Sequence, residues 1–126
     1  MIGFVMIGTN DLKKSSLFYD VVLSELDLIK VLTNERYIGY AEKNTPKTIQ
    51  LYVTKPYNKE LATNGNGTMI AFLAKSKDQV NKFHEVALNN GALNEGLPGP
   101  RPSGALEYYC YIRDLNNNKI CVYCIS

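Results

Sequence analysis

The sequence predicts an α+β fold of two βαβββ modules, with curved mixed sheets forming a cleft and helices on their outer faces. Three observations carry this. Strand-like and helix-like segments occur in the order strand, helix, three strands, and the same order restarts near residue 66. Each helical segment opens on capping chemistry. The length, 126 residues, suits one domain, residues 1–126, with modules at approximately 1–60 and 66–126.

In the first module, Ile2 to Gly8 is a short apolar run ending in a Thr9-Asn10-Asp11 cluster, which reads as a buried strand followed by a helix start. From Leu12 to about Leu26 the apolar residues recur at helical spacing. Leu12, Tyr19, Leu23 and Leu26 form a stripe, with Phe18 and Val22 beside it. Leu28–Leu32, Tyr37–Ala41 and Thr48–Val53 read as strands separated by turn-rich pieces.

A loop runs from Lys55 to Gly67, with Pro56 and Asn64-Gly65-Asn66-Gly67 as its turn chemistry. Thr68 to Ala74 is the next apolar strand. Ser76-Lys77-Asp78-Gln79 matches a capping box, and Val80, Phe83, Ala87 and Leu88 make the apolar face of a second helix that Asn90-Gly91 stops. Strands are expected near Ala92–Glu95, Leu106–Arg113 and Lys119–Ile125, the last two flanking the Asp114–Asn118 turn.

Composition excludes several function classes. Hydrophobic residues make up 45% and charged residues 21%, the net charge is +2, and the basic residues are scattered. That leaves no electrostatic footprint for nucleic acid or an anionic membrane. No stretch approaches the length of a membrane span and the start lacks a signal-peptide pattern, so a cytoplasmic protein is expected. Cys110, Cys121 and Cys124 are odd in number and lie in strand-like segments, against a disulfide framework. Cys121 and Cys124 form a Cys-x-x-Cys, but on a strand residues three apart face opposite ways, the wrong geometry for a redox pair or zinc knuckle.

The opening Ile-Gly-Phe-Val-Met-Ile-Gly-Thr-Asn-Asp-Leu, with Phe18, Tyr19 and Leu23 on the helix behind it, resembles the start of glyoxalase/bleomycin resistance/extradiol dioxygenase domains, the vicinal oxygen chelate superfamily. Asn-Gly-Thr-Met-Ile-Ala-Phe-Leu-Ala in the second half, and the closing Tyr-Ile-Arg-Asp-Leu-Asn-Asn-Asn-Lys-Ile, extend the resemblance over nearly the whole chain. Leu115 and Asn117 stand where that family's ending carries Pro and Gly. The resemblance implies a cleft, often completed by dimerisation, that in the enzymes holds a divalent metal acting as a Lewis acid on vicinal oxygens. Other members only sequester a drug.

The family's four metal-ligand positions fall here on Phe4 of the first strand, Gln50 of the fourth, Met69 of the fifth and Cys121 of the last. None is His or a carboxylate, so no metal and no cofactor is expected. Strand parity places Phe4, Met69 and Cys121 on the cleft face, as apolar wall.

The lone histidine, His84, follows Val80 by four and so belongs near the buried stripe of the second helix, as a structural residue. The segment 97–104, Leu-Pro-Gly-Pro-Arg-Pro-Ser-Gly, reads as a stiff loop able to hold Arg101 over the cleft mouth, where a guanidinium suits carboxylate or phosphate. Gln50, Tyr52, Tyr109 and Tyr111 are candidate orienting groups on strands, and Tyr109 and Tyr111 share a face. Lys13, Lys14, Lys75, Lys77 and Lys82 read as a solvated helix surface.

Two functions follow. One is a homodimeric protein that binds a small molecule in an apolar, tyrosine-lined cleft without the family's metal. The alternative is a glyoxalase-like lyase or isomerase with a non-standard metal or acid–base site, the only case in which a divalent metal is expected.

Overall fold

The computed structural model describes residues 1–101 and 104–125. It divides into two compact units, Met1–Thr63 and Asn64–Ser126. No helix is long and apolar enough to cross a membrane.

Unit 1 runs β1 (Val5–Gly8), α1 (Leu12–Ser24), β2 (Leu28–Thr33), β3 (Tyr37–Glu42) and β4 (Ile49–Thr54). Its four-stranded sheet has the order β1-β4-β3-β2. β1 pairs parallel with β4, Val5 opposite Leu51, and the other neighbours are antiparallel. Asp11 caps α1, its carboxylate accepting the Lys14 amide at 3.0 Å. Asn10 does something else: its side chain accepts the Ala62 N–H at 2.7 Å and donates to the Ala62 carbonyl at 3.2 Å. This pins the returning loop as a paired strand residue would.

The helix face of the sheet carries Ile7, Ile38, Tyr40, Leu51 and Val53, all buried. Against it α1 presents Ser15, Phe18, Tyr19, Val22 and Leu23. The apolar stripe is therefore centred further round the helix than its sequence spacing suggested: Phe18 and Val22 are core, and Leu12 is only half-buried. Tyr40 and Lys30 tie the sheet to α1 through Asp20, at 2.8 and 2.9 Å. Burial first, then the Asp20 bond and charge, push the Tyr40 phenol far above its ordinary value.

Unit 2 repeats the plan: β5 (Ile70–Leu73), α2 (Lys77–Asn89), β6 (Leu93–Arg101), β7 (Gly104–Arg113) and β8 (Lys119–Ile125), in the order β5-β8-β7-β6. Again the first strand pairs parallel with the last. Ser76 caps α2 by accepting the Gln79 amide at 3.1 Å, and Gln79 reaches back to the Lys75 amide at 2.7 Å. Val80, Phe83 and Ala87 bury against Cys110, Ile112, Ile120, Val122 and Cys124, each large side chain contributing about 1.5–3 kcal/mol. Gly91 follows the helix at φ +101°, a conformation that favours glycine. Asn117 sits at φ +67°, which Asn tolerates better than most residues.

Two expectations are corrected. Pairing of the first strand begins at Val5 opposite Leu51, just past the place where the β3–β4 register shifts, so Ile2 to Phe4 precede the ladder. Leu97 to Arg101 are the end of β6, not a loop. Proline is tolerated there because β6 is an edge strand and its register slips between Asn94 and Gly96, Gly96 and Gly99, and Pro100 and Arg101. Pro102 and Ser103 of that segment lie outside the described residues.

Candidate functional site

Each sheet has a helix on one face only, and most of the candidate residues gather on the other. In unit 1, alternation puts Met6, Tyr37 and Tyr52 on this open face, and Phe4 packs there against Tyr52, whereas Gln50 sits where the β3–β4 register shifts and the alternation breaks. Phe4 and Tyr52 meet edge to face with ring centroids 5.0 Å apart, and Tyr52 meets Tyr37 likewise at 5.4 Å. Phe4 remains 56% exposed. Gln50 donates to Glu42 at 3.1 Å. The Arg36 guanidinium lies 5.1 Å from the Tyr37 ring and 5.2 Å from that of Tyr57.

In unit 2 the open face is more strongly built. Tyr109 of β7 stands opposite Tyr123 of β8, their rings nearly parallel with centroids 5.1 Å apart. Tyr111 continues the column beyond Tyr109, at 6.0 Å and 4°. Arg101, at the end of β6, places its guanidinium 5.0 Å from the Tyr111 ring centroid, and Lys119 of β8 places its ammonium 5.5 Å from the same ring. Tyr109 donates to Glu107 at 3.0 Å, which raises the Tyr109 phenol. Met69 precedes β5 and is half exposed, and Cys121 lies between Ala71 and Tyr111, fully buried by its neighbours. Burial pushes the Cys121 thiol up to about 11, although Arg101 and Lys119 pull it down. At neutral pH it is an uncharged, closely packed side chain.

Seven of the eight candidates thus fall on open faces: Phe4 and Tyr52 in unit 1, and Met69, Arg101, Tyr109, Tyr111 and Cys121 in unit 2; Gln50, at the β3–β4 register shift, is engaged by Glu42 instead. Reading by residue type passed over Glu107 and Lys119, though both share strand parity with Tyr109 or Cys121, whereas strand parity had put Tyr123 on the face of Cys121. Tyr37 had no comparable signal, since its nearness to Tyr52 depends on the β3–β4 register.

The metal implied by the family resemblance does not fit these residues. Phe4 has no donor atom, Gln50 is a neutral amide, Met69 a thioether and Cys121 a buried protonated thiol, whereas hard or borderline divalent ions want carboxylate, imidazole or thiolate. Among the described residues no group of three His, Cys, Asp or Glu side chains is placed to hold a metal ion. His84 sits on the helix side, buried, with Nε2 2.9 Å from Asn94 Oδ1. Cys121 and Cys124 are free thiols on opposite faces of β8.

Two surface depressions of unit 1 lie elsewhere. One of about 590 Å³ runs between α1 and the β2–β3 turn, past Asp20, Lys30 and Glu35, and one of about 1000 Å³ is bounded by Arg36, Lys55, Tyr57 and Glu60. Both are open and lined mainly by exposed side chains of mixed charge, which offers a ligand less than an ordered aromatic face does.

No family model and no curated protein matches the sequence. Solved structures do. A glyoxalase/bleomycin resistance protein from Albidiferax ferrireducens T118 is 34% identical, with a TM-score of 0.89 over 100% of this chain and 99% of its own. A glyoxalase/bleomycin resistance protein/dioxygenase family enzyme from Burkholderia phytofirmans PsJN shares the fold at 19% identity and a TM-score of 0.77, over 98% of each chain. So does a glyoxalase-related enzyme from Fulvimarina pelagi, at 17% identity and a TM-score of 0.77, over 98% of this chain and 87% of that one. The repeated βαβββ plan and the full-length relative agree, and the chain belongs to the glyoxalase/bleomycin resistance/dioxygenase family, the vicinal oxygen chelate superfamily.

Proposed function

We propose that this protein binds a small molecule on its tyrosine-bearing open faces, and that it does so without the family's metal. The observation that carries the reading is the parallel column of Tyr123, Tyr109 and Tyr111 in unit 2. Ordered aromatic rings with polar tips are economical ligand surfaces, giving large contact area for little lost side-chain freedom. The chemistry at Phe4, Gln50, Met69 and Cys121 supports holding a molecule over polarising one. We carry forward the expectations of a cytoplasmic location and a homodimer, the latter on the family's habit of completing its cleft by dimerisation.

Native mass spectrometry of the freshly purified protein tests the reading, since it reports both assembly and any co-purifying molecule. A thermal-shift screen of metabolites and drugs accompanies it. The expected result is a dimer with a ligand that Tyr109→Leu loses. Absence of any bound species, with no compound shifting the melting of a folded protein, would overturn it. Stoichiometric uptake of Ni²⁺ or Zn²⁺ with turnover of a hemithioacetal would replace it with the lyase alternative.

A further inference from the structure

The open face of unit 2 has an electrical direction. β7 places Glu107, Tyr109, Tyr111 and Arg113 on this face at two-residue steps, so Glu107 and Tyr111 lie roughly 13 Å apart. At the Tyr111 end Arg101 and Lys119, from the two strands flanking β7, both stand over one ring. Arg113 is already neutralised by Glu95 at 3.0 Å. Among the described residues no carboxylate pairs with Arg101 or Lys119. At the other end the Glu107 carboxylate is engaged by Tyr109.

From this arrangement, and resting on the small-molecule reading above, we infer that the tyrosine column takes a planar aromatic carboxylate, its ring packed across the exposed edges of the tyrosines and its anionic group held by Arg101 and Lys119. A neutral aromatic would gain the ring contact and leave two cations unmatched. An aliphatic acid would pair the cations and leave the rings uncovered. An aromatic cation would meet two like charges, which is unfavourable at short range. Glu107 repels an anion at its own end, so the carboxylate is directed toward Tyr111. A guanidinium offers paired N–H donors to a carboxylate, and the Lys119 ammonium supplies a second charge without fixed geometry. Neither cation has to leave the ring, since an anion approaches the side facing away from the aromatic face.

Calorimetry with 2-naphthoate, neutral 2-naphthamide and cyclohexanecarboxylate tests this on the full chain. Naphthoate is expected to bind at least about tenfold more tightly than either comparison compound. Arg101→Gln and Lys119→Gln are each expected to weaken naphthoate by about tenfold while changing naphthamide by less than about twofold. Arg101 is exposed and Lys119 half-exposed, so these variants fold, which circular dichroism checks. Naphthamide binding as tightly as naphthoate, or affinity indifferent to Arg101→Gln and Lys119→Gln, would overturn the charge assignment and leave small-molecule binding standing. A co-purifying ligand that Tyr109→Leu expels, in a protein that ignores naphthoate, does the same. Tyr109→Leu without effect on any bound species overturns both.

Discussion

Tyr109 and Tyr123 face each other across β7 and β8 with ring centroids 5.1 Å apart and planes inclined by 16°, while the Tyr109 hydroxyl is held by Glu107 at 3.0 Å. The ring is thus fixed both on its face and at its tip. Tyr109→Leu removes two stacked contacts, each worth about 0.5–1.5 kcal/mol. It is expected to lower unfolding free energy by roughly 1–2 kcal/mol in urea titrations. Tyr109→Phe keeps the stack and loses only the partly exposed hydroxyl bond, so its cost is expected to stay below about 1 kcal/mol. Equal losses in the two variants would show that stacking contributes nothing beyond burial.

The β7–β8 turn is organised by one carboxylate. Asp114 is buried and accepts the Asn116 and Asn118 amides at 2.8 and 2.9 Å and the Asn118 side chain at 3.0 Å. Asp114→Ala is expected to cost roughly 2–3 kcal/mol, read from the urea midpoint. Asn117→Val forces a β-branched residue to φ +67° and is expected to cost about 1–2 kcal/mol.

His84 is a structural histidine. Asn94 Oδ1 accepts the Gly96 amide at 3.0 Å as well as meeting His84 Nε2 at 2.9 Å, so the imidazole donates here. Asn94→Ala leaves a buried imidazole N–H without that partner and is expected to cost about 1–3 kcal/mol. Ligand affinity on the opposite face of the sheet is expected to hold within about twofold. A large loss of affinity at unchanged stability would assign His84 a place in binding.

Cys110 and Cys121 are expected to make stability fall at alkaline pH. Burial pushes the Cys110 thiol from 9.0 up to about 12 and that of Cys121 up to about 11. Below about pH 9 both folded and unfolded chains hold these protons. As pH rises from there the unfolded chain releases them first, so stability declines across the window from 9 to about 12 and levels once the native thiols also ionise. The raised Tyr40 phenol adds to the decline above pH 10. Cys110→Ala is expected to lose less stability between about pH 8 and pH 10.5 than the parent, measured by urea midpoints at each pH. All three thiols are buried, so a thiol reagent is expected to label none rapidly in buffer and all three in guanidinium.

Much of this molecule was legible in its residues. Alternation along β1, β5, β7 and β8 assigned Phe4, Met69, Tyr109, Tyr111 and Cys121 to one side of their sheets, because a strand's side-chain period of two is a local property of the backbone. The same parity separated Cys121 from Cys124. The capping residues Asp11 and Ser76 marked both helix starts for an equally local reason: a short polar side chain beside unpaired amides. Helical spacing put His84 with the core. Register was beyond its reach. Which ring meets which depends on pairing between strands far apart in sequence, and on slips such as those that carry β6 through Pro98 and Pro100. Sequence parity could therefore give the side on which Tyr111 and Cys121 lie, but only the tertiary structure set Arg101 and Lys119 over one Tyr111 ring, because three strands must be in register before those charges meet.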